Sequence, residues 1–171
     1  METILFMLSL IGLIVCISYM TFYAILYFTK PPKVKFYTDE TCPYIYNQIP
    51  VRATNGSAGF DIYVPRNLIC PAGETIIIDT GIKTQIPDGY VMHIYPRSSV
   101  GIKQHLMLAN TVAVIDSDYH NTIKLAVHNY GTDAQQLNAG ERIAQAIITA
   151  YITDGKKVNT KRNGGIGSTG R

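Results

Sequence analysis

The sequence lacks the patterns of a metal-scaffolded or disulfide-stapled protein. Its cysteines, Cys16, Cys42 and Cys70, are odd in number and widely spaced, with no C-x-x-C pair. That argues against both a zinc framework and a disulfide framework. The histidines, His93, His105, His120 and His128, have no metal-ligand spacing. Charge is also scarce: 16% of residues are Asp, Glu, Lys or Arg, and the net charge is +3. A nucleic-acid-binding domain usually concentrates basic residues in a patch, which this chain does not, so no nucleic-acid partner is expected.

The scarcity is most extreme at one end. No charged residue occurs from Thr3 to Thr29, where Leu, Ile, Met, Phe and Val dominate and Tyr19, Tyr23 and Tyr27 follow towards the far end. A bilayer core needs about 20 apolar residues of helix, and this stretch exceeds that. Lys30, Lys33 and Lys35 come after it and only Glu2 before it. The positive-inside rule then predicts a single-pass anchor over 1–29 with the rest of the chain on the cytoplasmic side. A signal peptide would need a basic start, a shorter apolar core and an A-x-A site, none of which is present. Pro31-Pro32 stops the helix, and residues 30–46 are expected to be a linker.

From 47 to 160 the pattern is that of strands. VRATNGSAGFDIYV alternates around the turn dipeptide Asn55-Gly56, and ETIIIDTGIKTQIP and YVMHIYP are rich in β-branched and aromatic residues. Pro71-Ala72-Gly73 and Pro87-Asp88-Gly89 bound them. NTIKLAVHNYG and RIAQAIITAYI add two strands; LMLAN and ERIAQAIITA are compatible with helix, though the isoleucines of the second favour strand. Short strands between closely spaced turn signals predict an all-β sandwich or barrel. Between two of them, AVIDSDYHN sets Asp116, Asp118 and Tyr119 in a tight turn. Residues 161–171 form a glycine-rich arm, RNGGIGSTGR at its end, rich in backbone N–H groups able to wrap a phosphate. The G-x-G-x-x-G inside it lacks the strand, helix and further chain of a dinucleotide site.

Five segments occur in one order: AGFDI from Ala58, PRSSVG from Pro96, AVIDSDY from Ala113, GERIAQ from Gly140 and RNGGIGSTG from Arg162. Together they resemble the five motifs of the trimeric dUTP diphosphatases, the dUTPases, across nearly the whole region after the linker. The resemblance implies a jelly-roll β-sandwich of the β-clip type behind the N-terminal transmembrane helix. It also implies a Mg²⁺-dependent hydrolysis of dUTP to dUMP and pyrophosphate in a homotrimer whose sites are shared between subunits.

Site residues follow from the same resemblance. Asp116 corresponds to the carboxylate that orients and partly deprotonates the attacking water. Tyr119 corresponds to the ring under deoxyribose, where a 2′-hydroxyl would clash. Asn110 would lie at the uracil pocket of the hairpin, its amide able to donate and accept. Arg97, Ser98, Ser99 and Gln145 would hold phosphates, Arg97 through its planar fork of donors. In the arm, Arg162 would neutralise the γ-phosphate, Ser168 and Thr169 would donate to the β- and γ-phosphates, and Ile166 and Gly167 would close over the base. Ile166 stands where the family usually has phenylalanine, which implies a looser lid. Asp61 would act near the metal through ordered water, or else brace the turn at Gly59; Mg²⁺ itself prefers phosphate oxygens and water. Arg142 is assigned to bracing the fold or trimer.

Two rival readings are distinguishable. A dCTP deaminase of the same fold needs a glutamate in the strand after the hairpin, and Thr122-Ile123-Lys124-Leu125-Ala126-Val127-His128 has no acid. A non-catalytic, membrane-tethered binding protein on the same scaffold would not need Asp116, Tyr119, Arg97, Gln145 and Arg162 together.

Overall fold

A computed structural model describes residues 1–28, 33–42, 48–156, 158–160, 162, 164 and 165. They fall into two units, Met1–Pro32 and Lys33–Arg171. The first is a single helix, α1 (Glu2–Phe28). Its 27 residues span about 40 Å at ~1.5 Å per residue. Within it Glu2–Ile25 is long and apolar enough to cross a bilayer. Three of its hydroxyls donate inside the helix, Ser9 to the Phe6 carbonyl, Thr21 to the Ser18 carbonyl and Tyr19 to the Tyr23 hydroxyl. That is the arrangement an apolar solvent demands of polar groups. The Pro31-Pro32 stop lies outside the described residues.

The second unit is β-rich. Its strands, in order, are β1 (Lys35–Thr38), β2 (Val51–Arg52), β3 (Phe60–Tyr63), β4 (Leu68–Cys70), β5 (Thr75–Asp79) and β6 (Ile82–Gln85). After them come β7 (Tyr90–Pro96), β8 (Leu106–Leu108), β9 (Ala113–Ile115), β10 (Lys124–Asn129), β11 (Gln135–Leu137) and β12 (Arg142–Ala150). A five-stranded sheet runs β2-β3-β12-β7-β9 and a three-stranded one β5-β10-β8, with the pairs β1-β6 and β11-β4. Every pairing is antiparallel. One buried cluster draws on both larger sheets: Ile62, Met92, Ile94, Ala144 and Ala146 from the first, Ile78, Leu106, Leu108, Leu125 and Val127 from the second. This is a sandwich core, with alternate side chains of each strand turned inward.

The turn chemistry explains much of the path. Gly73 and Gly89 have φ of 73° and 80°, and Glu74 and Tyr90 donate back to the Pro71 and Pro87 carbonyls. Both are P-x-G turns whose third position needs the left-handed region, which glycine enters at no steric cost.

The structure departs from the sequence expectations in several places. Residues expected to be linker contain β1, whose Phe36 packs on Phe60 with ring centroids 5.2 Å apart. LMLAN, left open between helix and strand, supplies β8, and RIAQAIITA is strand β12 throughout. The residues after Arg97 form a short helix, α2 (Ser98–Gln104), closed by His105 at φ 52° and by the Tyr130 hydroxyl donating to the Gly101 carbonyl. The Asp116 turn is not a hairpin. β9 pairs with β7, while β10 pairs with β5 and β8. The chain crosses between sheets at Ile123, which bonds to Thr80 and Ile82.

Asn129 ties several of these pieces together. It is fully buried, donates to the Cys70 and Asp133 carbonyls at 2.9 and 2.8 Å, and accepts from Gly131 N–H at 3.0 Å. Asn129→Ala would leave buried groups unpaired. We expect a loss of about 2–4 kcal/mol, measured by urea denaturation at fixed protein concentration; a change under about 0.5 kcal/mol would mean water replaces the amide.

Candidate active site

The motif residues gather in two places. The first is the corner after β9. Tyr119 N–H donates to the Asp116 carbonyl at 3.2 Å, closing a turn that leaves the Asp116 and Asp118 carboxylates exposed. Tyr119 points inward, 7% exposed, its hydroxyl donating to the Thr122 carbonyl at 2.9 Å. Burial raises the Tyr119 pKa, so the phenol stays protonated.

Arg162 lies across this corner. One nitrogen, Nη1, donates to Asp116 Oδ2 at 2.7 Å and to Asp118 Oδ1 at 2.8 Å. Its Nε donates to the Gly164 carbonyl at 3.0 Å, and the guanidinium carbon stands 5.4 Å from the Tyr119 ring centroid. Hydrogen bonds to Asp116 and then Asp118 raise its pKa further. Gly165 sits so close to Tyr119 that a Cβ there would be 2.5 Å from Cε2. A cavity of about 220 Å³ opens beside Tyr119, bordered by Asn121, Gly165, Lys124, Lys83 and Asp39. A second, of about 200 Å³, lies between Asp118, His120, Asn121 and Arg162.

The second place is where β3, β12 and β7 run side by side into α2. Asp61 and Gln145 are directly opposite across β3 and β12, and Gln145 is opposite Tyr95 on β7. Asp61 is 7% exposed and paired twice, with Arg97 Nε at 3.3 Å and Arg142 Nη1 at 3.1 Å. Two cations on a buried carboxylate offset its desolvation. A Cβ at Gly59 would stand 2.8 Å from Gln145 Oε1, so any larger residue there would displace the Gln145 amide. Ser98 and Ser99 are exposed in the first turn of α2. Asn110 lies in the exposed turn before β9, its carbonyl accepting from Val112 N–H at 2.7 Å.

These two places are far apart within one chain. Met92 pairs with Ile115 on β9, so Asp116 lies level with Val91 at one end of β7, while Arg97 follows its other end. Six residues of strand separate those levels, about 20 Å at ~3.3 Å per residue.

Ile166, Gly167, Ser168 and Thr169 lie outside the described residues. The role expected for Asp61 near the metal, through ordered water, asks for no direct ligation, and its donor set offers none. Both its oxygens face guanidinium groups, and no group of three His, Cys, Asp or Glu suited to a metal ion occurs among the described residues. Bracing, the alternative for Asp61, is what its contacts supply, and Arg142 shares in it. Two features escaped sequence reasoning. Asp118 shares Arg162 with Asp116, for which the D-x-D spacing was a signal. Asp39 carries no sequence signal at all. It reaches the cavity because β1 pairs with β6.

Asp39 accepts from Lys83 at 2.8 Å and from the Thr41 hydroxyl and N–H. Lys83 first, then Thr41, holds the Asp39 pKa down to about 2. A depressed carboxylate stabilises the fold above its unfolded value near 4; that contribution is lost as pH falls from about 4 towards 2. NMR titration of the Asp39 carboxyl should give a midpoint near 2, rising into the ordinary range in Lys83→Met. An unchanged midpoint in the variant would show that Lys83 is not the cause.

Comparison with known proteins places this geometry in context. A family model described as dUTPase matches residues 46–170. The chain is 37% identical over 138 residues to the deoxyuridine 5'-triphosphate nucleotidohydrolase of Paraburkholderia phymatum, covering 75% of this chain and 93% of that one. It is 42% identical over 105 residues to the protein of the same description from Escherichia phage T5, covering 57% and 70%. Among solved structures, the dUTPase of Streptococcus mutans superposes with a TM-score of 0.63 at 30% identity, over 71% of this chain and 98% of that one.

Proposed function

The chain belongs to the dUTPase family, and we propose how its two clusters carry out that family's reaction, the hydrolysis of dUTP to dUMP and pyrophosphate. The observation that carries the reading is an exposed carboxylate, Asp116, fixed by a turn beside the inward Tyr119 ring. Asp116 holds a water and takes its proton as the water oxygen bonds to the α-phosphorus. The bond from that phosphorus to the bridging oxygen breaks in line, and pyrophosphate leaves. Tyr119 packs under deoxyribose and Asn110 meets uracil. Arg97, Ser98, Ser99 and Gln145 hold the triphosphate, and Arg162 meets its γ end. Most of the acceleration comes from positioning and charge neutralisation, as in other phosphoryl transfers.

Mg²⁺ enters this reading as part of the substrate. It binds phosphate oxygens and keeps waters of its own, lowering the charge that Arg97 and Arg162 must offset.

A separation of about 20 Å between Asp116 and Arg97 along one strand exceeds the reach of a single triphosphate. Asp116 of one copy and Arg97 of another therefore build each site, which supports the homotrimer. Asp116→Asn and Arg97→Ala should each lower kcat at least about a hundredfold. Chains of the two variants refolded together should regain activity, with roughly a quarter of sites intact under random assembly. No recovery, in mixtures shown to contain mixed oligomers, would place both groups in one chain.

We further propose that α1 anchors the enzyme in a membrane, with the β unit on the cytoplasmic side. Support comes from its length, its apolar surface and the lysines that follow it. The full chain should float with lipid vesicles through a carbonate wash, and a chain lacking 1–32 should not. Full recovery in the soluble fraction would refute the anchor.

A further inference from the structure

We propose that Asp118 is a positioning residue of the arm: with Asp116 it forms a resting dock for Arg162. In the nucleotide-free protein the start of the arm then lies against its own chain's Asp116–Tyr119 turn, and substrate must draw it away. This rests on the reading above, in which Arg162 serves the γ-phosphate and Asp116 the water.

Three contacts with the turn and one inside the arm make the dock. A single nitrogen, Arg162 Nη1, bridges both carboxylates at 2.7 and 2.8 Å. The guanidinium lies over the Tyr119 ring at 5.4 Å, within cation–π range. Its Nε bond to the Gly164 carbonyl folds the arm locally around the arginine. Gly165 then meets the far side of the approach, where only a residue without Cβ clears Tyr119 Cε2. Two points of the arm, Arg162 and Gly165, thus meet one surface, and the Arg162 side chain is only 19% exposed.

Charge explains why a second aspartate is there. Two carboxylates two residues apart repel each other, and one guanidinium offsets both. With Asp116 alone the arginine would hold a single exposed partner, a contact of small worth. Asp118, which has no part in the reaction as set out above, makes the contact bidentate on the carboxylate side. The dock also occupies one oxygen, Oδ2, of the group that must hold water. An arginine transferred to phosphate gives up this bridge, so docking and substrate binding compete for the same cation. The strength of the dock therefore sets part of KM without touching the bond-breaking step.

The test uses the full chain in detergent micelles, digested briefly with trypsin without nucleotide. Mass spectrometry follows release of the peptides that end the arm. Asp118→Asn should speed release about three- to fivefold, and Gly165→Ala should do the same because its methyl group meets Tyr119. Adding α,β-imido-dUTP with Mg²⁺ should protect wild type and Asp118→Asn alike. In steady-state assays Asp118→Asn should lower KM for dUTP by a similar factor with kcat within about twofold. Release at the wild-type rate in both variants would overturn the dock. A raised KM with a lowered kcat in Asp118→Asn would overturn it too, since Asp118 would then act in the reacting complex. Wild-type protein that fails to hydrolyse dUTP would sink the functional reading, while the digestion would still decide the dock.

Discussion

The pairing of β7 with β12 is the constraint from which the rest follows. It runs without a break from Pro96 opposite Ala144 to Tyr90 opposite Ala150. It is the longest unbroken pairing among the described residues. Arg97 leaves one end of β7, and Gln145 and Asp61 stand abreast of that same end. At the other end β9 delivers Asp116. A ladder cannot be shortened, so Arg97 and Asp116 of one chain cannot converge. The sharing between copies proposed above would then follow from strand geometry alone.

The ion pairs divide into two kinds by burial, and the division matches what each is asked to do. Asp61 is buried between Arg97 and Arg142. Removing either arginine would leave a charge partly uncompensated in a dry place, so this pair is held for good. Asp116 and Asp118 are half exposed, and their hold on Arg162 is screened by water. A contact of that strength can hold Arg162 and still be broken by a ligand carrying more charge. Asp39 and Lys83, at the lip of the cavity, lie between the two kinds, with side chains 14% and 31% exposed.

Much of the fold was legible because it rests on local chemistry. Pro-x-Gly turns, β-branched runs and the alternation in VRATNGSAGFDIYV named their strands directly, and the five ordered segments pointed to Asp116, Arg97 and Gln145. What stayed hidden depends on partners distant in sequence. β1 is a strand only because β6 lies beside it. β4 and β11, three residues each, carry too few residues for any period to show. The Asp116 turn resembles a hairpin from its two flanking runs, yet Ile123 carries the chain to the other sheet. The short helix after Arg97 is set by tertiary braces, His105 and Tyr130, rather than by propensity. Asp118 and Asp39 were invisible as contacts because their cations lie 44 residues away in each case.

The five-stranded sheet ends in β2, of two residues, and β9, of three. Such stubs expose almost no unpaired backbone at the rim of the sheet. A neighbouring molecule finds no template there on which to add a strand, so runaway fibre-like growth is blocked at its first step. Copies of this chain that meet at those rims do so through side chains rather than by adding strand to strand.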